Sequence, residues 1–184
     1  MADKFEMEPH QFANAIKATC LPKEATDEQF AAFLMVAREH NLNPLTREIY
    51  AFPARGGGIQ QIVGIDGWAK IMNSHPQFDG IDFVYDSDDK GKMTAVTARI
   101  HRKDRNKPIE VTEYMNECQG TSEPWKKWPA RMLRHKAMIQ CCRIAFGYTN
   151  IADPDEYDRQ VQVTEIDITP EVADLNEEIK SKQG

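Results

Sequence analysis

Apolar positions first recur at helical spacing in a short segment around Phe12 to Ile16. A second helix is predicted from Thr26, because Gln29 three residues on completes a capping box, and it runs to about His40. Asn41, Asn43 and Pro44 stop it. The pattern then changes to β-rich runs, Arg47 to Phe52 and Ile59 to Val63, on either side of Pro53 and the cluster Gly56, Gly57, Gly58. These form a predicted hairpin whose glycine loop can approach a ligand closely.

Asp66 is a candidate cap for a short helix through Trp68, Ile71 and Met72 that ends near His75 and Pro76. Phe78 to Tyr85, Met93 to Ile100 and Ile109 to Met115 read as three strands separated by turn-forming residues, and connections this short predict an antiparallel meander. Trp128 precedes a proline and is disfavoured in a helix, whereas Pro129 suits a first helical position, so a long helix is predicted from Pro129 to Gly147. A further helix is expected from Asp153 to about Val161. The stretch from Thr164 to Gly184 is polar, acidic and aperiodic and is expected to be loosely ordered. The fold class is therefore α+β: N-terminal helices, a glycine-loop β-hairpin, and a three-stranded antiparallel meander packed with a long basic helix. Its expected organisation is a core over 1–163 and a tail over 164–184.

Charge sharpens this picture. The 184 residues carry a net charge of −6, yet Pro124 to Ala152 contains no Asp or Glu and holds Lys126, Lys127, Arg131, Arg134, Lys136 and Arg143. That window is +6 and the remainder is −12, and the local field decides where a polyanion docks. On the predicted helix Lys136, Gln140 and Arg143 share one narrow stripe, with Lys136 and Arg143 roughly 10 Å apart along the axis. Arg131 and Arg134 lie together elsewhere. Apolar residues take up much of the helix circumference, so it is expected to pack between other elements, with charges that are not simply a solvated face. Either acids from elsewhere in the chain neutralise the stripe or a polyanion does. Trp125 and Trp128, interleaved with Lys126 and Lys127, resemble a base-stacking platform, although core packing is the commoner fate of a tryptophan. Arg55 at the glycine loop, with Gln60 and Gln61 after it, can reach a bound strand or simply solubilise the hairpin tip.

Other chemistry finds little support. Cys20, Cys118, Cys141 and Cys142 show no CxxC pair and complete no zinc pattern with the histidines, so they read as reduced, buried thiols. GIDGWAK from Gly64 lacks a phosphate-loop signature, and Asp86, Asp88 and Asp89 look like a turn rather than a metal cluster. A metal-dependent nuclease would need clustered carboxylates, but Glu110 and Glu113 fall on opposite faces of their predicted strand. No metal, cofactor or catalytic site is expected. Two rivals stay open: that nuclease, and a scaffold whose basic helix binds an acidic protein. No membrane span or signal peptide is read, so a cytoplasmic location is expected.

At these residues the chain resembles the phage Red-beta (Bet) family of single-strand annealing recombinases, in the RecT-type superfamily. The resemblance is carried by LNPLTREIYAFP from Leu42, VGIDGWAKI from Val63, QFDGIDF from Gln77, HRKDRNKPIEVTEYMNEC from His101 and RMLRHKAMIQCCRIAFG from Arg131. It implies ATP-independent binding of single-stranded DNA, annealing of complementary strands through a duplex intermediate, and assembly as homo-oligomeric rings or helical filaments. It also implies a partner exonuclease and a host single-strand-binding protein. By position, Arg131, Lys136 and Arg143 match DNA-contact positions on the long helix, and Arg47 and Arg55 match lysines of the first hairpin. Three departures stand out. Ala130 replaces a lysine of the family pattern, the segment between Cys118 and Trp125 is shorter, and the family's C-terminal partner-binding domain has no counterpart in these 184 residues.

Overall fold

The structure, a computed structural model, describes residues 6–54, 57–148 and 151–157. Helix α1 (Pro9–Cys20) starts on a proline and buries Phe12, Ile16 and Cys20, a stripe at intervals of four. Helix α2 (Asp27–Glu39) forms both halves of its capping box: the Gln29 amide donates to Thr26 Oγ1 at 3.3 Å, and the Thr26 amide donates to Gln29 Oε1 at 3.1 Å. A 3-10 turn (Pro44–Thr46) follows and closes on Arg47 in the left-handed region, φ 58°. That closure is why the first strand begins two residues later than its β-rich run.

Strands β1 (Ile49–Pro53) and β2 (Ile59–Val63) form the antiparallel hairpin, with Ile49 opposite Val63. Gly57 and Gly58 take φ values of +96° and +94° at its tip, a conformation that favours glycine. Helix α3 (Ile65–Ser74) is capped at Gly64, not at Asp66 as the sequence suggests. Asp66 lies inside the first turn without a capping hydrogen bond, where its charge faces the positive end of the helix dipole.

The meander forms as predicted: β3 (Phe78–Ser87), β4 (Met93–Arg102) and β5 (Ile109–Tyr114) are antiparallel in the order β3-β4-β5. Strand β5 ends at Tyr114 because Met115 begins a single helical turn, α4 (Met115–Cys118). After α5 (Glu123–Lys127), helix α6 (Pro129–Phe146) runs to Gly147, which takes the left-handed C-terminal conformation at φ 73°. One side of α6 packs on β4 and β5, so Leu133, Ala137 and Cys141 join Val96, Ala98 and Ile100 in the core. Its other side meets α3 and residues 151–157. The Ala152 carbonyl accepts from the Val63 amide at 3.0 Å, and the chain turns helical over 154–157. The rest of the helix expected to Val161, and the tail over 164–184, lie outside the described residues.

Candidate nucleic-acid interface

The six cations of the acid-free window separate into two groups of opposite environment. Lys126 and Lys127 project from α5, both well exposed, and share Glu123 at 3.4 and 3.5 Å. Arg131 and Arg134 are exposed at the start of α6, and among the described residues neither has a carboxylate within 4.0 Å. Trp128, 50% exposed, sits between the two helices with the Arg131 guanidinium 5.1 Å from its ring. Arg134 lies 6.0 Å from the Phe83 ring. His135 adds no charge here, because burial and the neighbouring Arg134 and Arg131 hold its pKa below the usual value.

The two tryptophans therefore do not form one platform. Trp125 is 1% exposed and its indole N–H donates to Asp155 Oδ1 at 3.0 Å, so it takes the core-packing alternative rather than the stacking one. The ring is seated by Gly120, where an added Cβ would stand 2.9 Å from Trp125 Cδ1.

The second group is the stripe of Lys136, Gln140 and Arg143. Of the two alternatives that the sequence leaves open, the structure shows neutralisation by acids of the chain itself. Lys136 is 5% exposed and donates to Asp153 Oδ2 at 2.7 Å, with Asp153 1% exposed. Glu156 receives Gln140 Nε2 at 3.3 Å and is gripped by both terminal nitrogens of Arg143, one of them at 2.7 Å. Arg143 also donates to the Ile151 carbonyl and lies over the Trp68 ring at 5.1 Å. Asp153 and Glu156 cap each other: the Glu156 amide donates to Asp153 Oδ1 and the Asp153 amide to Glu156 Oε2, both at 3.0 Å.

Burial works against the Glu156 carboxylate. The Arg143 and Asp153 amide hydrogen bonds, with the charges of Arg143 and Lys136, outweigh it and hold the Glu156 pKa down at about 2. A depressed carboxylate pKa contributes stability that is present above the unfolded value near 4.5 and lost as pH falls through the folded value. The denaturation midpoint should accordingly fall between about pH 4.5 and pH 2, and in Glu156→Gln that part of the acid dependence should disappear. Identical acid profiles for the two chains would remove the ion-pair assignment.

On the hairpin, Arg47 is exposed at the foot of β1, 5.9 Å from the Tyr50 ring. Gln60 pairs across from Phe52 and Gln61 from Ala51, so the two glutamines point to opposite faces of the ribbon and cannot both meet one strand on one side. Arg55 lies outside the described residues. Glu110 and Glu113 also diverge, Glu110 toward Arg99 at 3.1 Å and Glu113 accepting from Cys118 Sγ at 2.9 Å. Burial pushes the thiols of Cys141 and Cys142 up to about 11 and about 12, which leaves them protonated and poor nucleophiles. Among the described residues no group of three or more His, Cys, Asp or Glu could hold a metal ion, and no helix is long and apolar enough to cross a membrane.

The RecT family model matches residues 10–170, which span the meander, the glycine hairpin, the long helix and the cationic edge; the chain belongs to the RecT family. Recombination protein bet of Escherichia phage lambda is 45% identical to it over 193 residues, a match covering 95% of this chain and 72% of that protein.

Proposed function

We infer that this member of the RecT family is a single-strand annealing recombination protein that works without ATP, holding one DNA strand by its phosphates and leaving the base edges open to a complementary strand. The observation that carries the binding reading is the exposed edge of Lys126, Lys127, Arg131 and Arg134 around a half-exposed Trp128, in a window without a single acid. Phosphate contacts position a strand without reading sequence, so specificity is left to base pairing, as annealing requires. Arg47, with Gln60 or Gln61, extends the path along the hairpin, and the resemblance adds Arg55 by sequence position alone. Gln140 and Arg143 extend the interface along α6, with Lys136 buried behind them on Asp153. The family resemblance adds that the working form is a homo-oligomer, a ring or helical filament. Family resemblance adds an exonuclease that supplies single strands and a host single-strand-binding protein as partners.

Complementary fluorescent oligonucleotides, without nucleotide or metal, test the activity: the protein should accelerate annealing above the protein-free rate, and no acceleration rejects the function. Arg131→Ala and Arg134→Ala should each weaken binding to single-stranded DNA and flatten the plot of log K against log salt by about 0.7, the loss of one phosphate contact. Unchanged slopes in folded variants would move the interface elsewhere.

A further inference from the structure

Residues 151–157 touch both elements assigned to DNA. Asp153 and Glu156 engage the α6 stripe, the Ala152 carbonyl is bonded to β2, and the Tyr157 ring stacks on Phe52 of β1 at 4.6 Å while its hydroxyl donates to the Pro53 carbonyl at 3.2 Å. A strand lying on helix and hairpin together passes over this turn. Building on the DNA-binding reading above, we propose that Glu156 occupies the seat of a DNA phosphate, and that strand binding displaces its carboxylate from Arg143 and Gln140 while Asp153 stays on Lys136.

The two acids differ in the property that decides which one leaves. Asp153 is 1% exposed against a 5% exposed Lys136, and removing it would strand a buried ammonium. Glu156 is 28% exposed and its main partner, Arg143, is 18% exposed, so this pair lies at the rim, within reach of a ligand. The chemistry of the exchange is matched. Arg143 holds the carboxylate with both terminal nitrogens, the fork geometry that a guanidinium also presents to a phosphodiester, and Gln140 supplies a neutral donor to either anion. Arg143 swaps one anionic partner for another and is never left bare, while the displaced carboxylate exchanges its Asp153 amide hydrogen bond for water. A seat that is closed most of the time lowers apparent affinity by the fraction of time it is open. Glu156 would therefore keep the groove from retaining stray anions and yield to a strand whose other phosphates are held by Arg131, Arg134 and the α5 lysines.

The test compares the wild-type chain with Glu156→Gln, which keeps the side-chain shape and one acceptor for Arg143. Binding of a labelled dT oligonucleotide is measured over a salt series. In parallel, carbodiimide labelling of carboxylates is mapped by mass spectrometry on wild-type protein with and without the oligonucleotide. Expected are binding about tenfold tighter in Glu156→Gln, a gain that survives salt able to screen a remote charge, and labelling of Glu156 that rises with DNA while that of Asp153 does not. If Glu156→Gln binds equally or more weakly, or its gain vanishes with salt, and Glu156 labelling is unchanged by DNA, the displacement is wrong while wild-type binding still upholds the DNA reading. The labelling arm uses only wild-type protein, so a poorly folding variant does not remove the test. Absence of binding by both chains overturns the proposal and the DNA reading together.

Discussion

Asp153→Ala should lower the stability of the chain by about 3–5 kcal/mol, the usual cost of leaving one member of a buried ion pair without its partner. Lys136 Nζ lies 2.7 Å from Asp153 Oδ2, with the two side chains 5% and 1% exposed, and its next carboxylate, Glu156 Oε1, is 3.9 Å away. The alanine also removes the acceptor for the Glu156 amide, a cap contributing about 1 kcal/mol. Urea denaturation should show a lower midpoint at an unchanged slope. Lys136→Met combined with Asp153→Leu should recover most of the loss, since replacing both charges by apolar groups removes their desolvation cost, and should remain about 1 kcal/mol short for the missing cap. A loss below about 1 kcal/mol in Asp153→Ala would mean that the pair is hydrated rather than buried. This result also governs how DNA-binding variants are read: a defect in Lys136→Ala reflects a phosphate contact only after the folded fraction has been measured.

The elements whose signals are local were legible in the sequence. The Thr26–Gln29 capping box, the Pro129 start and Gly147 stop of α6, and the turns of the meander all lie within a few residues of what they specify, and each forms. The helical pitch also placed Lys136, Gln140 and Arg143 on one stripe, as they are. The partners of that stripe were not legible. Asp153 lies 17 residues beyond Lys136 and Glu156 13 beyond Arg143, on a segment tied to β2 by the Val63 amide and Ala152 carbonyl, and periodicity within one helix reports only neighbours three or four positions away. Composition recorded 29 acids without saying which of them come home. The same gap separates Trp125 from Trp128. Three positions apart in a basic segment they look alike, and only the Gly120 seat and the Asp155 acceptor, both set by tertiary packing, bury one and leave the other in solvent. A signal for the Asp153 turn was nevertheless present: Asp-Pro-Asp-Glu at 153–156 places an acid three residues after a capping aspartate, a reciprocal cap in which an acid bound by its own turn can also face α6.

Gly67→Ala should destabilise the chain by about 2 kcal/mol, although alanine is the better helix former by about 1 kcal/mol. Gly67 is buried in the first turn of α3, directly against Glu48, the residue before β1, and Val63 at the end of β2. An added Cβ would stand 2.3 Å from the Glu48 carbonyl oxygen and 2.7 Å from Val63 Cγ1. Neither neighbour can give way cheaply. The Glu48 carbonyl accepts from the Gly64 amide at 3.1 Å, and its side chain is held at 2.7 Å by both Lys70 Nζ and the Asn43 amide. Val63 is fully buried with its amide on Ala152. The helix must therefore move away from β1 and β2, carrying Trp68, on which Arg143 lies, away from the α6 stripe. Gly57→Ala offers the comparison: it has open space around its Cβ and suffers only the strain of φ +96°, about 1 kcal/mol. Urea midpoints of the two variants should rank Gly67→Ala as the less stable, with a further drop for the larger Gly67→Val. Single-stranded DNA binding should fall in the Gly67 variants even where they are fully folded, since the lesion shifts hairpin and stripe relative to each other. Wild-type stability in Gly67→Ala would show that α3 and the hairpin are not in contact at this seam.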